Sequence, residues 1–147
     1  MGHLSTHVLD TMNGCPAAGM RVELQRLDGT QVVTLKRFAL NADGRNDGGA
    51  LLDAQSMAVG RYRLVFSVAP YFRALGVKLP EPAFLDEVPL DFGIADAGGR
   101  YHVPLLVSHG RTPPTGVPDF EQPQLIADIR HWCLNPRRAF WSPHHTV

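Results

Sequence analysis

YHVPLLVS, residues Tyr101–Ser108, is an odd pattern for the surface strand of a small protein. As a strand it sends Tyr101, Val103, Leu105 and Val107 to one face. His102, Pro104, Leu106 and Ser108 go to the other. A strand with one face in water alternates apolar with polar residues. Here both faces carry apolar groups, and a histidine sits within the second. Pro104 has no N–H to give a ladder, which argues for an irregular or edge position. The pattern predicts that one face closes the domain core, while the other lines a site shared with a second copy of the chain.

The segments around it read as strands too. Leu4–Asp10 (LSTHVLD) places Ser5, His7 and Leu9 on one face and Thr6 and Val8 on the other, ahead of a turn signal at Asn13-Gly14. Arg21–Leu27 alternates Val22, Leu24 and Arg26 with Arg21, Glu23 and Gln25. Asp28-Gly29 then turns the chain into Gln31–Leu40. Asn41–Gly49 (NADGRNDGG) is a loop dense in residues that tolerate positive φ, with one cation at its centre, Arg45. Gly60–Val68 aligns Tyr62, Leu64 and Phe66 on one face, and Tyr71–Leu75 suits a single helical turn over the sheet. Lys78–Glu87 reads as a proline-bearing loop, and Val88–Ile94 as a further strand. Strands recurring at this spacing predict an all-β sandwich.

A chain of 147 residues supports one domain with a sizeable core. Its 14 basic residues balance 14 acidic ones, so no long-range field favours nucleic acid or an anionic membrane. No apolar run approaches the roughly 20 residues that a spanning helix needs. The first residues, MGHLSTHVLD, lack the apolar centre of a secretory signal. Cys15 and Cys133 stand in unrelated contexts and suit idle thiols in a reducing compartment. A cytoplasmic location is the expectation. After Ser108 the composition changes. His109–Pro123 holds four prolines and two glycines, and Pro123 can open a helix through Asn135. Leu125, Ile126, Ile129, Trp132 and Cys133 would form its apolar stripe. Residues 1–108 and 109–147 are therefore separate regions.

Three residues suit chemistry. His7 and His102 each sit mid-strand, opposite better-packed neighbours, and Arg45 sits in a loop able to present it. An imidazole can take a proton from water near neutral pH. A guanidinium can hold a delocalised anion through paired N–H donors and stabilise oxyanion charge. Together they suit hydrolysis of a planar, anionic, carbonyl-rich molecule. Spacing alone is weak support, since strand histidines commonly serve structure and loop arginines are commonly solvated. His3 and His7 would share a strand face, but no third ligand lies near them in sequence, so no metal is expected. Neither cysteine has the surroundings of a catalytic thiol. No phosphate loop or nucleophile elbow is present.

Taken in order, LSTHVLD, GCPAAGMRVEL, NADGR, GRYRLVF, the pair YF and LG, and YHVPLLVS resemble the transthyretin-like 5-hydroxyisourate hydrolases. The resemblance runs from Leu4 to Ser108, and LSTHVLD, NADGR and YHVPLL together are specific to that family. It implies a transthyretin-like two-sheet β-sandwich with one short helix, assembled as a homotetramer, a dimer of dimers. It also implies a cofactor-free step of urate breakdown, the opening of 5-hydroxyisourate to 2-oxo-4-hydroxy-4-carboxy-5-ureidoimidazoline. His7 matches the histidine of the family's first strand and Arg45 the arginine of its NADGR loop. His102 matches the histidine that separates these hydrolases from hormone-carrying transthyretin. In the family these groups meet in a channel between subunits. One histidine would act as base on water, and Arg45 would hold the substrate's anionic oxygens. Two other classes share the fold: a carrier of apolar ligands and a catalytically inert sandwich. For a carrier, His7 and His102 would be costly polar burial.

The resemblance fails at the end. Family members finish with a last strand ending in Tyr-Arg-Gly-Ser, where this chain has Arg111–Asp119, RTPPTGVPD. Written as ACT-CCA-CCT-ACC-GGG-GTT-CCT-GAY, Thr112–Asp119 can be reread from the third base of its first codon. The result, TCC-ACC-TAC-CGG-GGT-TCC-TGA, spells Ser-Thr-Tyr-Arg-Gly-Ser and a stop. A one-nucleotide slip near His109–Arg111 would thus replace the last strand and make the Pro123–Asn135 amphipathicity accidental. The alternative is a genuine tail that packs on the sandwich. Without the last strand, its neighbour would expose unpaired backbone groups and invite aggregation.

Overall fold

The computed structural model describes residues 2–108. The predicted Pro123–Asn135 helix, Cys133 and the altered terminus lie outside the described residues. The elements run β1 (His3–Asp10), β2 (Cys15–Pro16), β3 (Arg21–Asp28), β4 (Gln31–Ala39), β5 (Gly60–Ser67), α1 (Val68–Ala74), β6 (Glu87–Ile94) and β7 (Arg100–Val107). They form two sheets, ordered β2-β1-β7 and β4-β3-β5-β6. The expected two-sheet sandwich with one short helix is what the chain adopts.

The period-2 pattern explains which faces meet. On β1, Leu4, Thr6, Val8 and Asp10 are buried, while His3, Ser5, His7 and Leu9 are half-buried. On β7, Val103, Leu105 and Val107 are buried, and His102, Pro104 and Leu106 are half-buried. The inward set joins Leu24, Tyr62, Leu64, Phe66 and Phe72 in one core. First and last strands lie side by side and parallel, in register from His3↔Arg100 to Asp10↔Val107. A parallel pair needs a long crossover, and here the opposite sheet and the helix supply it. Among the described residues β7 ends its sheet, as Pro104 led us to expect.

Two details differ from expectation. The helix starts at Val68, directly after β5, rather than at Tyr71. Pro70 is tolerated because it falls in the first turn, where its missing N–H has no intrahelical partner anyway. Val68, Ala69, Tyr71 and Phe72 bury one helix face. The Tyr71 hydroxyl donates to Asp10 Oδ2 at 2.8 Å, and Asp10 Oδ1 accepts from the backbone of Met12 and Asn13. One buried carboxylate thereby fixes both the helix and the turn after β1. The second difference is β2, two residues paired with Leu9 and Asp10 and too short to show any periodicity.

Candidate active site

The outer face of the β2-β1-β7 sheet gathers the predicted residues. Register places Ser5 beside His102 and His7 beside Pro104, with His3 one step along the same face. Ser5 Oγ lies 2.8 Å from His102 Nδ1. Arg45 reaches the face from its loop, and its Nη2 donates to His7 Nδ1 at 3.4 Å. His7, Arg45 and His102 are separated by long stretches of sequence, yet they share one surface.

The loop that delivers Arg45 is built for that position. Asn41 Oδ1 accepts from the Asp43 and Arg45 amides at 2.9 and 3.1 Å, and Asn41 N–H donates to the Arg45 carbonyl at 2.8 Å. Val8 N–H then donates to the Gly44 carbonyl at 3.0 Å, docking the loop on β1 next to His7. Gly44 has φ +70°, and a Cβ there would collide with the Val8 carbonyl oxygen. Only glycine meets both demands. Gly44→Ala is expected to cost at least about 1 kcal/mol of stability and to displace Arg45, lowering turnover with it. Thermal unfolding and kinetics check this, and an unchanged melting point would refute it.

Both imidazoles are shifted toward the neutral form. Burial pushes His102 down to about 4, helped by the positive charge of Arg45 and then by the proximity of His7 and His3, whose protonated forms would repel a second cation. Burial and then Arg45 lower His7 as well, while the Asp43 backbone carbonyl, accepting from the ring, works the other way. The folded-state pKa of His102 lies below its ordinary value of 6.5, so between those two values the unfolded chain binds a proton that the native one does not. Stability is therefore full above about pH 6.5 and falls as the pH drops toward 4. In urea unfolding at pH 7 and pH 5, His102→Gln should lose less stability than the unaltered chain. An equal loss in both proteins would contradict this origin.

The described residues contain no group of three or more histidine, cysteine or carboxylate side chains able to hold a metal. The face offers instead a cation, a charge-sensitive imidazole beside it and a second imidazole pinned by a hydroxyl. Such a set can orient an anion, accept a proton and donate a hydrogen bond.

A family model described as "HIUase/Transthyretin family" matches residues 4–111. The chain belongs to the HIUase/Transthyretin family. The match stops where the proline-rich stretch begins. The family member named 5-hydroxyisourate hydrolase 2 of Rhizobium meliloti (strain 1021) is 53% identical over 107 residues, 73% of this chain and 88% of that one. The solved 5-hydroxyisourate hydrolase of Klebsiella pneumoniae is 32% identical with a TM-score of 0.61, covering 76% of this chain and 93% of that one. A structure described as (S)-allantoin synthase is 44% identical with a TM-score of 0.68 over 73% of this chain. This chain spans only 40% of that protein.

Sequence reasoning missed two members of the face. Ser5 was visible as a face-mate of His7, but its pairing with His102 depends on the β1–β7 register, which no local pattern encodes. The Asp43 carbonyl is backbone and leaves no residue-type signal at all.

Proposed function

We propose that this chain hydrolyses 5-hydroxyisourate to 2-oxo-4-hydroxy-4-carboxy-5-ureidoimidazoline, with His7, Arg45 and His102 as its catalytic residues and no cofactor. The contact between Arg45 and His7, on the face that also holds His102, carries the reading. Relatives named for this activity support it. Arg45 binds the substrate's anionic oxygens. His7 is assigned the base because it is the imidazole in contact with Arg45, while burial pushes His102 down to about 4. The His7 Nδ1 lone pair faces the guanidinium, where a substrate held by Arg45 would place its carbonyl. His7 takes a proton from water as the oxygen adds to the ring carbonyl carbon. The C–N bond then breaks, and the imidazolium returns its proton to the departing nitrogen. His102 stays neutral and donates a hydrogen bond to the carbonyl oxygen as charge builds there.

The half-buried outer face suits cover by a neighbouring copy. The family resemblance and the balanced charge complete the reading: a homotetramer in the cytoplasm, acting on a small molecule and on neither nucleic acid nor membrane. Residues 1–108 form the hydrolase domain, and 109–147 are an out-of-frame tail in place of its last strand. Sequencing the DNA across His109–Asp119 tests the tail. Codons incompatible with the shifted frame at Thr112–Asp119 would end that part of the proposal. Loss of 5-hydroxyisourate absorbance above the spontaneous background tests the activity. The carrier reading is disfavoured by two half-buried imidazoles that an apolar ligand would not use.

A further inference from the structure

Asn41 does two jobs in the loop that carries Arg45. Its Oδ1 accepts from the Asp43 and Arg45 amides at 2.9 and 3.1 Å. Backbone amides can only donate, so these two contacts settle which end of the side-chain amide is oxygen. The other end is the NH2 group, and it donates to Asp47 Oδ1 at 3.1 Å. The loop places one acid, Asp43, two residues before Arg45 and another, Asp47, two residues after it. Among the described residues neither forms an ion pair with Arg45, whose guanidinium reaches His7 instead. We propose that Asn41 is a positioning residue that holds the Asp47 carboxylate away from Arg45 and so leaves the guanidinium open to an anionic substrate. This rests on the hydrolase reading above and deepens it.

Electrostatics favours the opposite arrangement unless something prevents it. A carboxylate within reach of a guanidinium pairs with it, and such pairs can close through two parallel N–H···O bonds. A substrate anion would have to displace that internal partner before it could bind. A neutral amide avoids the competition, because it satisfies Asp47 with an N–H and adds no charge of its own. The same amide's oxygen sets the turn, so one side chain fixes where Arg45 stands and what it stands clear of. Burial and then the charge of Arg45 lower the His7 pKa. Withdrawing the guanidinium from His7 would let that pKa rise.

The test exchanges the two side chains. Asn41→Asp keeps an oxygen for the Asp43 and Arg45 amides but sets two carboxylates against each other, which frees Asp47 to pair with Arg45. Asn41→Asp combined with Asp47→Asn restores one N–H donor and one carboxylate, with the hydrogen bond reversed and the charge of the loop unchanged. Steady-state kinetics on 5-hydroxyisourate gives KM and kcat, and an NMR titration, assigned with His7→Gln, gives the His7 pKa. Asn41→Asp should raise KM about tenfold or more, the scale of one hydrogen bond to a charged group, with kcat little changed and the His7 pKa raised. The exchanged protein should return both to near the values of the unaltered chain, a recovery that mere loosening of the loop would not give. An unaltered KM or His7 pKa in folded Asn41→Asp overturns the proposal. So does an exchanged protein in which either stays raised, or one that fails to fold. If Asn41→Asp itself does not fold, the exchanged protein decides alone by the same two readings. A complete lack of turnover in the unaltered chain would sink the hydrolase reading instead, and the His7 titration would still decide what Asn41 does to Arg45.

Discussion

Alanine at His7 is expected to lower turnover of 5-hydroxyisourate by roughly 100- to 10,000-fold, the span that general acid–base catalysis supplies. The cost has a specific origin. His7 presents Nδ1 to the Arg45 guanidinium, and the Asp43 carbonyl also accepts from the ring. Alanine removes the proton acceptor but leaves the loop docked through Val8 and Gly44, so the fold should survive. Arg45→Lys should fail for a different reason. An ammonium replaces a planar fork with a point charge and cannot hold a delocalised anion through two parallel N–H bonds. Its defect should fall chiefly on KM, whereas that of His7→Ala should fall on kcat. Full activity in His7→Ala, measured by loss of substrate absorbance, would refute the assignment.

The second large effect concerns the chain's end. A frame-restored protein, ending Ser-Thr-Tyr-Arg-Gly-Ser after the rereading of Thr112–Asp119, should turn over substrate roughly 100- to 1,000-fold faster than the chain as it stands. That is the scale of losing one well-placed transition-state donor. The restored strand would bring hydroxyls and a second guanidinium, and would give β7 a neighbour on the side where the described sheet ends. It should also reduce aggregation, since an open edge is a template for pairing between chains. Matching kinetics for the two proteins would contradict this, and would make the existing tail a competent substitute.

Much of this was legible in the residues. Alternation alone placed His7 opposite Val8 and Thr6, and His102 opposite Val103, because side-chain direction follows the pleat whatever the strand pairs with. Gly44 and its neighbours announced a loop of positive φ. Alternation could not reveal that β1 and β7 are parallel partners. That pairing joins the two ends of the described chain, and it depends on how both sheets close over Tyr62, Phe66 and Leu105. The Ser5–His102 contact follows from that pairing, and the docking of Gly44 on Val8 from the return of the loop to β1. A local pattern cannot contain them.

A crystal structure of the assembled protein with an unreactive, planar, anionic analogue of 5-hydroxyisourate goes to the heart of the matter. The analogue should lie on the outer face of the β2-β1-β7 sheet, its oxygens on the Arg45 guanidinium and its reacting carbonyl between His7 and His102, with a second copy covering it. An analogue bound away from all three side chains, or an outer face left open to solvent in the assembly, would contradict the proposed active site.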